Sequence, residues 1–179
     1  MTVLEILQYP DPKLRRKAIP ITNIKNPKIQ KLIDDMFETM YSTSNCAALS
    51  ATQLNITYPF CITVINQSPQ NDIKQTLCLI NPKIINQVGT TSYTEGCMSV
   101  CPNEIYATVK RAEKITFRAL DREGNPIEIA TNGFFAICVQ HEIDHLNGIL
   151  YIDHLSRLKR RMLDKKIRKI HRLEQNNAT

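Results

Sequence analysis

The stretch Phe134–Gly148 reads FFAICVQHEIDHLNG and decides how the rest of the chain must be arranged. Its first half is apolar on nearly every side, and its second half is polar. Asn147-Gly148 offers a helix stop, because glycine readily takes the left-handed conformation after a last turn. The stretch therefore predicts a helix that is buried at its N-terminal end.

Within this helix, His141-Glu142-Ile143-Asp144-His145 forms an HExxH pattern. Residues four apart lie on the same helix face, so both imidazoles can bind one cation. Glu142 follows the first histidine and can reach a water on that cation instead of the cation itself. The alternative is two unrelated helix histidines, which would leave Glu142 in an apolar neighbourhood without a role. The pattern favours a metal-dependent hydrolase with Glu142 as general acid/base.

A third ligand must come from elsewhere, because a catalytic metal usually has three protein ligands and one open position. The best candidate is Cys97, in the segment YTEGCMS at 93–99. Gly96 precedes the thiol directly and lets the backbone approach a metal or a substrate closely. A cation lowers the pKa of a bound thiol, so Cys97 needs no separate activation.

A closed structural site is the rival interpretation. Cys97 and Cys101 form C-x3-C, and the two histidines form H-x3-H, which together could make a Cys2His2 zinc site. With a basic tail, such a site would indicate an RNA-binding or ribosome-binding module. Against it, several strand-like segments separate the two pairs, and a closed site gives Glu142 nothing to activate.

Length and composition indicate one domain over residues 1–179, with a single core. No run of about 18 apolar residues exists, so no membrane span or membrane partner is expected. The opening MTVLEILQYPDP carries Glu5 and Pro10, so we interpret it as the start of the fold and not as a signal peptide. The six cysteines are then expected to be free thiols in a reducing, cytoplasmic location.

Alternating β-rich segments lie between helical ones. Ile29, Leu32, Ile33, Met36, Phe37, Met40 and Tyr41 follow helical spacing and predict a helix over Asn26–Tyr41. A last helix is predicted over about 156–174, with a partial apolar stripe of Leu158, Met162, Ile167 and Ile170. The predicted fold is α+β, with mixed or antiparallel strands around a central HExxH helix and a helix at each end. The predicted strands are PFCITVI, TLCLINPKII, EIYATVK, EKITFRAL and PIEIA.

The net charge of +6 is concentrated in the last helix. The segment Arg157–Arg172 holds nine Lys or Arg and one Asp, so the rest of the chain is slightly negative. The charge is compatible with a solvated helix, and also with contact to RNA phosphates on a ribosome. No DNA partner is expected.

At these residues the chain resembles the iron-type bacterial peptide deformylases. That family carries a G-x-G-L-A-A-x-Q segment, an EGCLS segment and a QHExDHLxG helix. The last two correspond here to EGCMS at 95–99 and QHEIDHLNG at 140–148. In the first segment, CAALSATQ at 46–53 retains Gln53 but replaces both glycines, by Cys46 and Ala48. The turn around Cys101–Glu104 is also about two residues longer than in the family.

The resemblance implies removal of the formyl group from N-formylmethionine on newly made polypeptides, by a metal-bound water with Glu142 as general acid/base. It implies one divalent ion per chain, Fe²⁺ in the cell, with Zn²⁺, Ni²⁺ or Co²⁺ possible in a purified sample. It also implies two oxyanion donors, the side-chain amide of Gln53 and the backbone N–H of Met98. A paralogue with weak or altered N-acyl specificity is the alternative, because the replaced glycines lie beside the substrate in the family.

The methionine side chain needs an apolar pocket beside the metal. Phe134, Ile137, Cys138 and His141 lie on one face of the helix, at i, i+3, i+4 and i+7, although Phe134 and Ile137 could equally be plain core. Family likeness adds Glu95, paired with Arg111, as a brace of the cleft. The expected substrate-binding residues are Ala48, Gly96, Glu95, Phe134, Ile137 and Cys138.

Overall fold

The computed structural model describes residues 2–66 and 76–177, except for the side chains at 174, 175 and 177. Three helices and seven strands form in these ranges, and they confirm the predicted α+β class. The helices are α1 (Pro27–Ser42), α2 (Gly133–Leu146) and α3 (Arg157–Asn177). The strands are β1 (Ala48–Ser50), β2 (Ile62–Asn66), β3 (Thr76–Val88), β4 (Thr91–Glu95), β5 (Ala107–Arg111), β6 (Lys114–Leu120) and β7 (Pro126–Asn132).

The strands form one five-stranded sheet, in the order β1-β2-β3-β6-β7, and a separate β4-β5 pair. Each of these pairings is antiparallel. Neither β1 nor β4 was predicted from the sequence. β1 has only three residues, too few to display an alternating pattern, and β4 is largely exposed and polar.

Helix α1 begins and packs as its sequence predicts. The Asn26 side chain accepts a hydrogen bond from the backbone N–H of Lys28 at 2.9 Å, and Pro27 occupies the first turn. The buried face carries Ile29, Ile33, Met36 and Met40, which pack in one cluster with Leu49 of β1 and Ile62 and Val64 of β2. This cluster holds β1 in place below the site described next.

Helix α2 contacts five strands of the described residues, β1, β2, β3, β6 and β7. The expectation of a buried N-terminal end is wrong for the first turn, where Phe134 is 39% exposed. Burial begins at Ala136 and continues to Leu146. Gly148 ends the helix with a φ of 72°, and a Cβ there would overlap the backbone carbonyl of Arg15. Both requirements restrict this position to glycine.

For helix α3 the predicted apolar stripe is confirmed at Ile167 and Ile170 and is wrong at Leu158 and Met162. Ile167 is buried and Leu163 and Ile170 are partly buried against the core, whereas Leu158 is 71% and Met162 65% exposed. Arg160 forms an ion pair with Asp153, which precedes α3, and Asp164 of α3 accepts a hydrogen bond from the Tyr9 hydroxyl at 3.1 Å. These polar contacts set the docked side together with the apolar residues. Within the described ranges, no helix is long and apolar enough to cross a membrane.

Candidate active site and metal centre

The three predicted metal ligands meet in space. One ligand atom each from Cys97, His141 and His145 lies within 4.8 Å of the others. Cys97 Sγ is 3.2 Å from His145 Nε2, which is 3.1 Å from His141 Nε2. We call these three residues the Cys-His-His group. Cys97 comes from the turn after β4, and the histidines come from α2. The group therefore connects the β4-β5 pair to the helix that packs on the five-stranded sheet.

The donor chemistry and spacing of the Cys-His-His group fit a divalent cation. Bond lengths of about 2.0–2.3 Å to tetrahedral zinc separate neighbouring ligand atoms by about 3.3–3.6 Å, close to the distances observed. One thiolate and two imidazoles suit both Zn²⁺ and Fe²⁺. Three protein ligands leave one coordination position for a small molecule.

The orientation of His141 is fixed from behind by a chain of charged side chains. Glu95 Oε2 is 2.7 Å from His141 Nδ1, which leaves Nε2 facing the rest of the group. Arg111 donates two hydrogen bonds to Glu95, at 2.7 and 3.0 Å, and pairs with Asp144. The Glu95–Arg111 pair is therefore confirmed. His154, for which no role was predicted, lies at the outer end of this series of side chains, with its Nε2 2.7 Å from Asp144 Oδ2.

The charged side chains around His141 favour positive charge at the Cys-His-His group. Burial would raise the pKa of Glu95, but hydrogen bonds with His141 and Arg111 outweigh it and hold that pKa at about 2. Burial would lower the pKa of His141, but its contacts with Cys97 and Glu95 raise it well above the ordinary value. Burial and the charge of His141 lower the pKa of His145 well below its ordinary value. A bound cation would supply the positive charge that these neighbours favour.

Glu142 is buried beside the group and held by two hydroxyls. Ser50 Oγ donates to Glu142 Oε2 at 2.6 Å, and Thr63 Oγ1 lies 3.4 Å from the same oxygen. Burial raises the pKa of Glu142, although the charge of His141 and the hydroxyl hydrogen bonds oppose this shift. A carboxyl with a raised pKa is suited to exchange protons near neutral pH.

Gln53 lies beside the thiol of Cys97. Its Oε1 accepts a hydrogen bond from the backbone N–H of Ser50 at 2.8 Å. Its Nε2 donates to Ser99 Oγ at 3.2 Å and lies 3.6 Å from Cys97 Sγ. Because Oε1 is occupied by the backbone, the amide N–H groups face the Cys-His-His group. Met98 lines the same cleft, and its carbonyl accepts a hydrogen bond from Gln8.

The group opens into a cleft with a cavity volume of about 270 Å³. All six predicted substrate-binding residues line it, together with Gln53, Met98, Cys97, His141 and Glu142. The ring of Phe134 lies 6.1 Å from that of Tyr93, which closes one side. The remaining lining residues are Asn45, Ala47, Tyr93, Thr94, Pro102, Asn103 and Tyr106.

The two replaced glycines have different consequences. Ala48 lines the cleft, whereas Cys46 packs against the α1 core with its Sγ 3.3 Å from the Ala48 carbonyl. Burial and the nearby Glu142 and Cys97 charges raise the pKa of Cys46 to about 12, so it stays a neutral thiol. Neither residue has a positive φ; the left-handed residue here is Asn45, with φ 61°. The replacements therefore introduce no backbone strain.

Cys101 lies away from the Cys-His-His group. Its Sγ is 3.3 Å from Nε2 of His171 on α3, and the clustered ligand atoms of the described residues do not include it. A Cys2His2 site built from the two sequence pairs is therefore wrong. The longer loop borders the cleft through Pro102 and Asn103, and Asn103 accepts a hydrogen bond from Asn45 at 3.3 Å.

The structure gives Gly96 a further reason to lack a side chain, beside the predicted one. A Cβ at this position would lie 2.7 Å from the ring of Tyr106, so the missing side chain leaves room for that ring beside the cleft. The sequence drew no attention to Tyr106 or to Ser50. Ser50 could have been found, because a hydroxyl between Leu49 and Ala51 in an apolar run needs a buried partner. Tyr106 carries no comparable signal.

Comparison with known proteins agrees with this geometry. The sequence profile described as polypeptide deformylase matches residues 3–161. Peptide deformylase 1 of Coxiella burnetii (strain RSA 493 / Nine Mile phase I) is 49% identical over 170 residues, 95% of this chain and 98% of the relative.

Two solved structures share the fold along nearly the whole chain. A peptide deformylase from Legionella pneumophila is 42% identical with a TM-score of 0.86, covering 97% of this chain and 98% of its own. One from Ehrlichia chaffeensis in complex with actinonin is 34% identical with a TM-score of 0.84, covering 96% and 99%. Since the profile and the relative each extend over most of its length, this chain belongs to the polypeptide deformylase family.

Proposed function

We propose that this protein hydrolyses the formyl amide of N-formylmethionine at the start of newly made polypeptides, within one deformylase-like domain over residues 1–179. The observation that carries the proposal is a buried glutamate, Glu142, beside a Cys-His-His group at the base of an open cleft. A structural metal site has no need of a buried carboxylate held by two hydroxyls. An acid/base does, because proton transfer requires a fixed geometry.

Cys97, His141 and His145 would hold one divalent ion. When bound, that ion polarises the formyl oxygen and makes water acidic enough to attack near neutral pH. We propose Fe²⁺ as the ion used in the cell, with Zn²⁺, Ni²⁺ or Co²⁺ accepted after purification, because two imidazoles and one thiolate suit several of these ions. Activity that is lost in air and restored by Fe²⁺ under anaerobic conditions would support iron, and equal activity of iron-free and iron-loaded protein would exclude it.

Glu142 moves the proton. It takes a proton from the attacking water and later delivers it to the departing amine of methionine, so that the amine leaves as a neutral group. The Ser50 hydroxyl holds one carboxylate oxygen, Oε2, at 2.6 Å. The second oxygen is then the one that exchanges the proton.

The oxygen of the formyl group gains negative charge during the attack. We propose that the Gln53 amide and the backbone N–H of Met98 donate hydrogen bonds to it. Gln53 is suited to this because its Oε1 is already bonded to the backbone of Ser50, which fixes the direction of its N–H groups. Fixed donors lower the barrier because they require no reorganisation during the reaction.

The methionine side chain would lie along the first two turns of α2. Phe134, Ile137 and Cys138 line this side of the cleft, and Ala48, Glu95 and Gly96 line other parts of it. Burial raises the pKa of the Cys138 thiol, so this side stays uncharged. An uncharged, largely apolar surface favours a thioether side chain.

The decisive experiment is a turnover assay on formyl-Met-Ala-Ser with the parent protein and Glu142→Gln, which keeps the side-chain shape but removes the base. We expect deformylation by the parent, a loss of about 10²–10⁴-fold in the variant, and equal metal content in both. Inhibition by actinonin, which is bound to the Ehrlichia chaffeensis relative, is a further check. An inactive, metal-loaded parent would refute the proposal.

A paralogue with altered N-acyl specificity is the second candidate. The observation that favours it is Ala48, whose methyl group lies at a position of the cleft where the family pattern has glycine. Parent and Ala48→Gly are compared on formyl-Met and acetyl-Met peptides. A formyl preference in both supports deformylation, whereas faster acetyl cleavage by the parent supports the paralogue.

We also propose a cytoplasmic location and contact between α3 and the ribosome. Lys165, Lys166, Arg168 and Lys169 are exposed on α3, so they are available to RNA phosphates. Deleting α3 would also remove the buried Ile167, so charge reversal is the cleaner test. Lys165→Glu/Lys169→Glu should abolish salt-sensitive cosedimentation with ribosomes and leave turnover on a tripeptide unchanged. Unaltered cosedimentation would refute this contact.

A further inference from the structure

We propose that Ser50 is the positioning residue of this site: its hydroxyl holds the Glu142 carboxylate and its backbone N–H holds the Gln53 carboxamide. This inference rests on the roles proposed above for Glu142 and Gln53. It assigns to one buried serine the alignment of both the proposed proton carrier and the proposed oxyanion donor.

The side-chain contact is short and buried. Ser50 is 0% exposed, and its Oγ lies 2.6 Å from Glu142 Oε2 and 3.1 Å from the backbone carbonyl of the same residue. The hydroxyl has one proton to donate and two acceptors, both on Glu142. It therefore links the Glu142 carboxylate to the backbone of the helix turn that carries it. The bond to the carboxylate is the shorter of the two, and it is also the stronger because its acceptor is charged.

The backbone contact fixes Gln53. The N–H of Ser50 donates to Gln53 Oε1 at 2.8 Å, across the single turn Ala51–Gln53. This hydrogen bond distinguishes the two ends of the carboxamide, because only the oxygen can accept it. The Nε2 end is thereby directed towards Ser99 and Cys97.

The position of Ser50 itself is set by the sheet. Ser50 is the last residue of β1 and pairs with Thr63 of β2, whose hydroxyl lies 3.2 Å from the Leu49 carbonyl. Thr63 Oγ1 is also 3.4 Å from Glu142 Oε2, too long to hold the carboxylate as firmly as Ser50 does. The strand thus fixes the serine, and the serine fixes both functional side chains.

The expected effect follows from how strongly proton transfer depends on alignment. A misplacement of about 1 Å can cost about 10²-fold in rate. Ser50→Ala removes the hydroxyl but keeps the backbone N–H, so the Gln53 contact survives and only Glu142 is released. We expect kcat to fall by about 10–100-fold, with KM and bound metal unchanged.

The first test is kinetic, on formyl-Met-Ala-Ser, with Ser50→Ala, Ser50→Thr and Thr39→Val. Ser50→Thr keeps a hydroxyl and should recover part of kcat. Thr39→Val removes an equally buried hydroxyl, which donates to Asp35 in α1, and should lower stability without lowering kcat. If Ser50→Ala matches the parent in kcat, or Thr39→Val slows turnover as much, the proposal is wrong.

A double-mutant cycle separates positioning from general damage. If Ser50 acts through Glu142, then adding Ser50→Ala to Glu142→Gln should cause no further loss of rate. An equal fold-loss in both backgrounds would overturn the proposal, even if Ser50→Thr does not fold.

A crystal structure of Ser50→Ala supplies a readout independent of turnover. We expect the Gln53 carboxamide to be unmoved and the Glu142 carboxylate to be displaced or spread over several rotamers. An unmoved Glu142 would overturn the inference, whereas an inactive parent would overturn only the proposed function.

Discussion

Cys97 and Cys101 lie four residues apart and look alike locally. Their residues are 7% and 6% exposed, and each Sγ lies 3.2–3.3 Å from the Nε2 of a histidine. For Cys97 that histidine is His145 on α2, and His141 lies beside it. For Cys101 it is His171 on α3, which belongs to the docked surface of the last helix.

A thiol–imidazole contact does not by itself make a metal centre. The Cys97 end has a second imidazole, a carboxylate behind it that fixes its orientation, an amide beside the sulfur and an opening to the cleft. The Cys101 contact instead joins the cleft loop to α3, where Lys166 also donates to the carbonyl of Glu104. The same pair of groups belongs to a candidate metal centre at one end of the segment and attaches a loop to α3 at the other.

The largest expected effect comes from replacing the thiol of Cys97 by a hydroxyl, compared with the same change at Cys101. Cys97→Ser should lose most of its bound metal and retain less than about 1% of turnover, because losing a ligand costs more than the 10–100-fold typical of an outer partner. Cys101→Ser should keep one metal per chain and nearly full turnover. Metal analysis after gel filtration and the tripeptide assay measure these two effects. Metal loss from both variants would show that Cys101 also contributes to metal binding.

The amide beside Cys97 should have the next largest effect. Gln53→Ala removes a proposed oxyanion donor and is expected to lower kcat by about 10²–10³-fold with metal retained. Lys166→Ala, which removes a hydrogen bond to the loop after Cys101, is the matched control and should turn over like the parent. If Gln53→Ala also turned over like the parent, the oxyanion assignment would be wrong.

The carboxylate behind His141 should affect metal affinity more than chemistry. Glu95→Gln weakens the hydrogen bond to His141 Nδ1 and the pair with Arg111, so metal affinity should fall by about 10–100-fold. Competition with a chromophoric chelator measures this. Asp164→Asn, which alters a carboxylate on α3, should leave the affinity unchanged, and equal affinity in all three proteins would contradict the role given to Glu95.

The smallest effect is expected where Cys101 meets α3. Cys101→Ala should lower the free energy of unfolding by about 0.5–3 kcal/mol, the range of ordinary buried substitutions, because it removes the sulfur from a packed contact. Thermal unfolding monitored by circular dichroism measures this, with His171→Ala as the partner variant. The two changes should not add, since both remove the same contact. Additive losses would show that the contact contributes nothing.

The Cys-His-His group, Glu142, Gln53 and the residues that line the cleft could be predicted from the sequence, because a motif or a helical spacing marks each of them. Helical spacing places His141 and His145 on one face whatever the rest of the chain does. The family resemblance supplied Cys97 with a motif, and it paired Glu95 with Arg111. The α1 helix was predicted to within about two residues because its cap and apolar face agree with each other.

Features that depend on tertiary packing could not be predicted from the sequence. The docked face of α3 is set partly by the ion pair of Arg160 with Asp153, so apolar spacing alone selected Leu158 and Met162 wrongly. β1 is too short to show the alternating pattern of a strand. Because β1 was not predicted, the proposed role of Ser50, its last residue, was missed as well. Gly96 was correctly singled out, but its neighbour Tyr106 is ten residues away and could not be inferred.

The brevity of β1 has one consequence for how the protein tolerates change. Side chains alternate between the two faces of a strand, so a slip of one residue against β2 would turn the Ser50 hydroxyl away from Glu142. Three paired residues thus set the register on which the proposed roles of Glu142 and Gln53 depend. A single amino acid inserted between Ala47 and Ala48 would shift this register, and we expect it to abolish activity although every residue proposed to contact the substrate is retained.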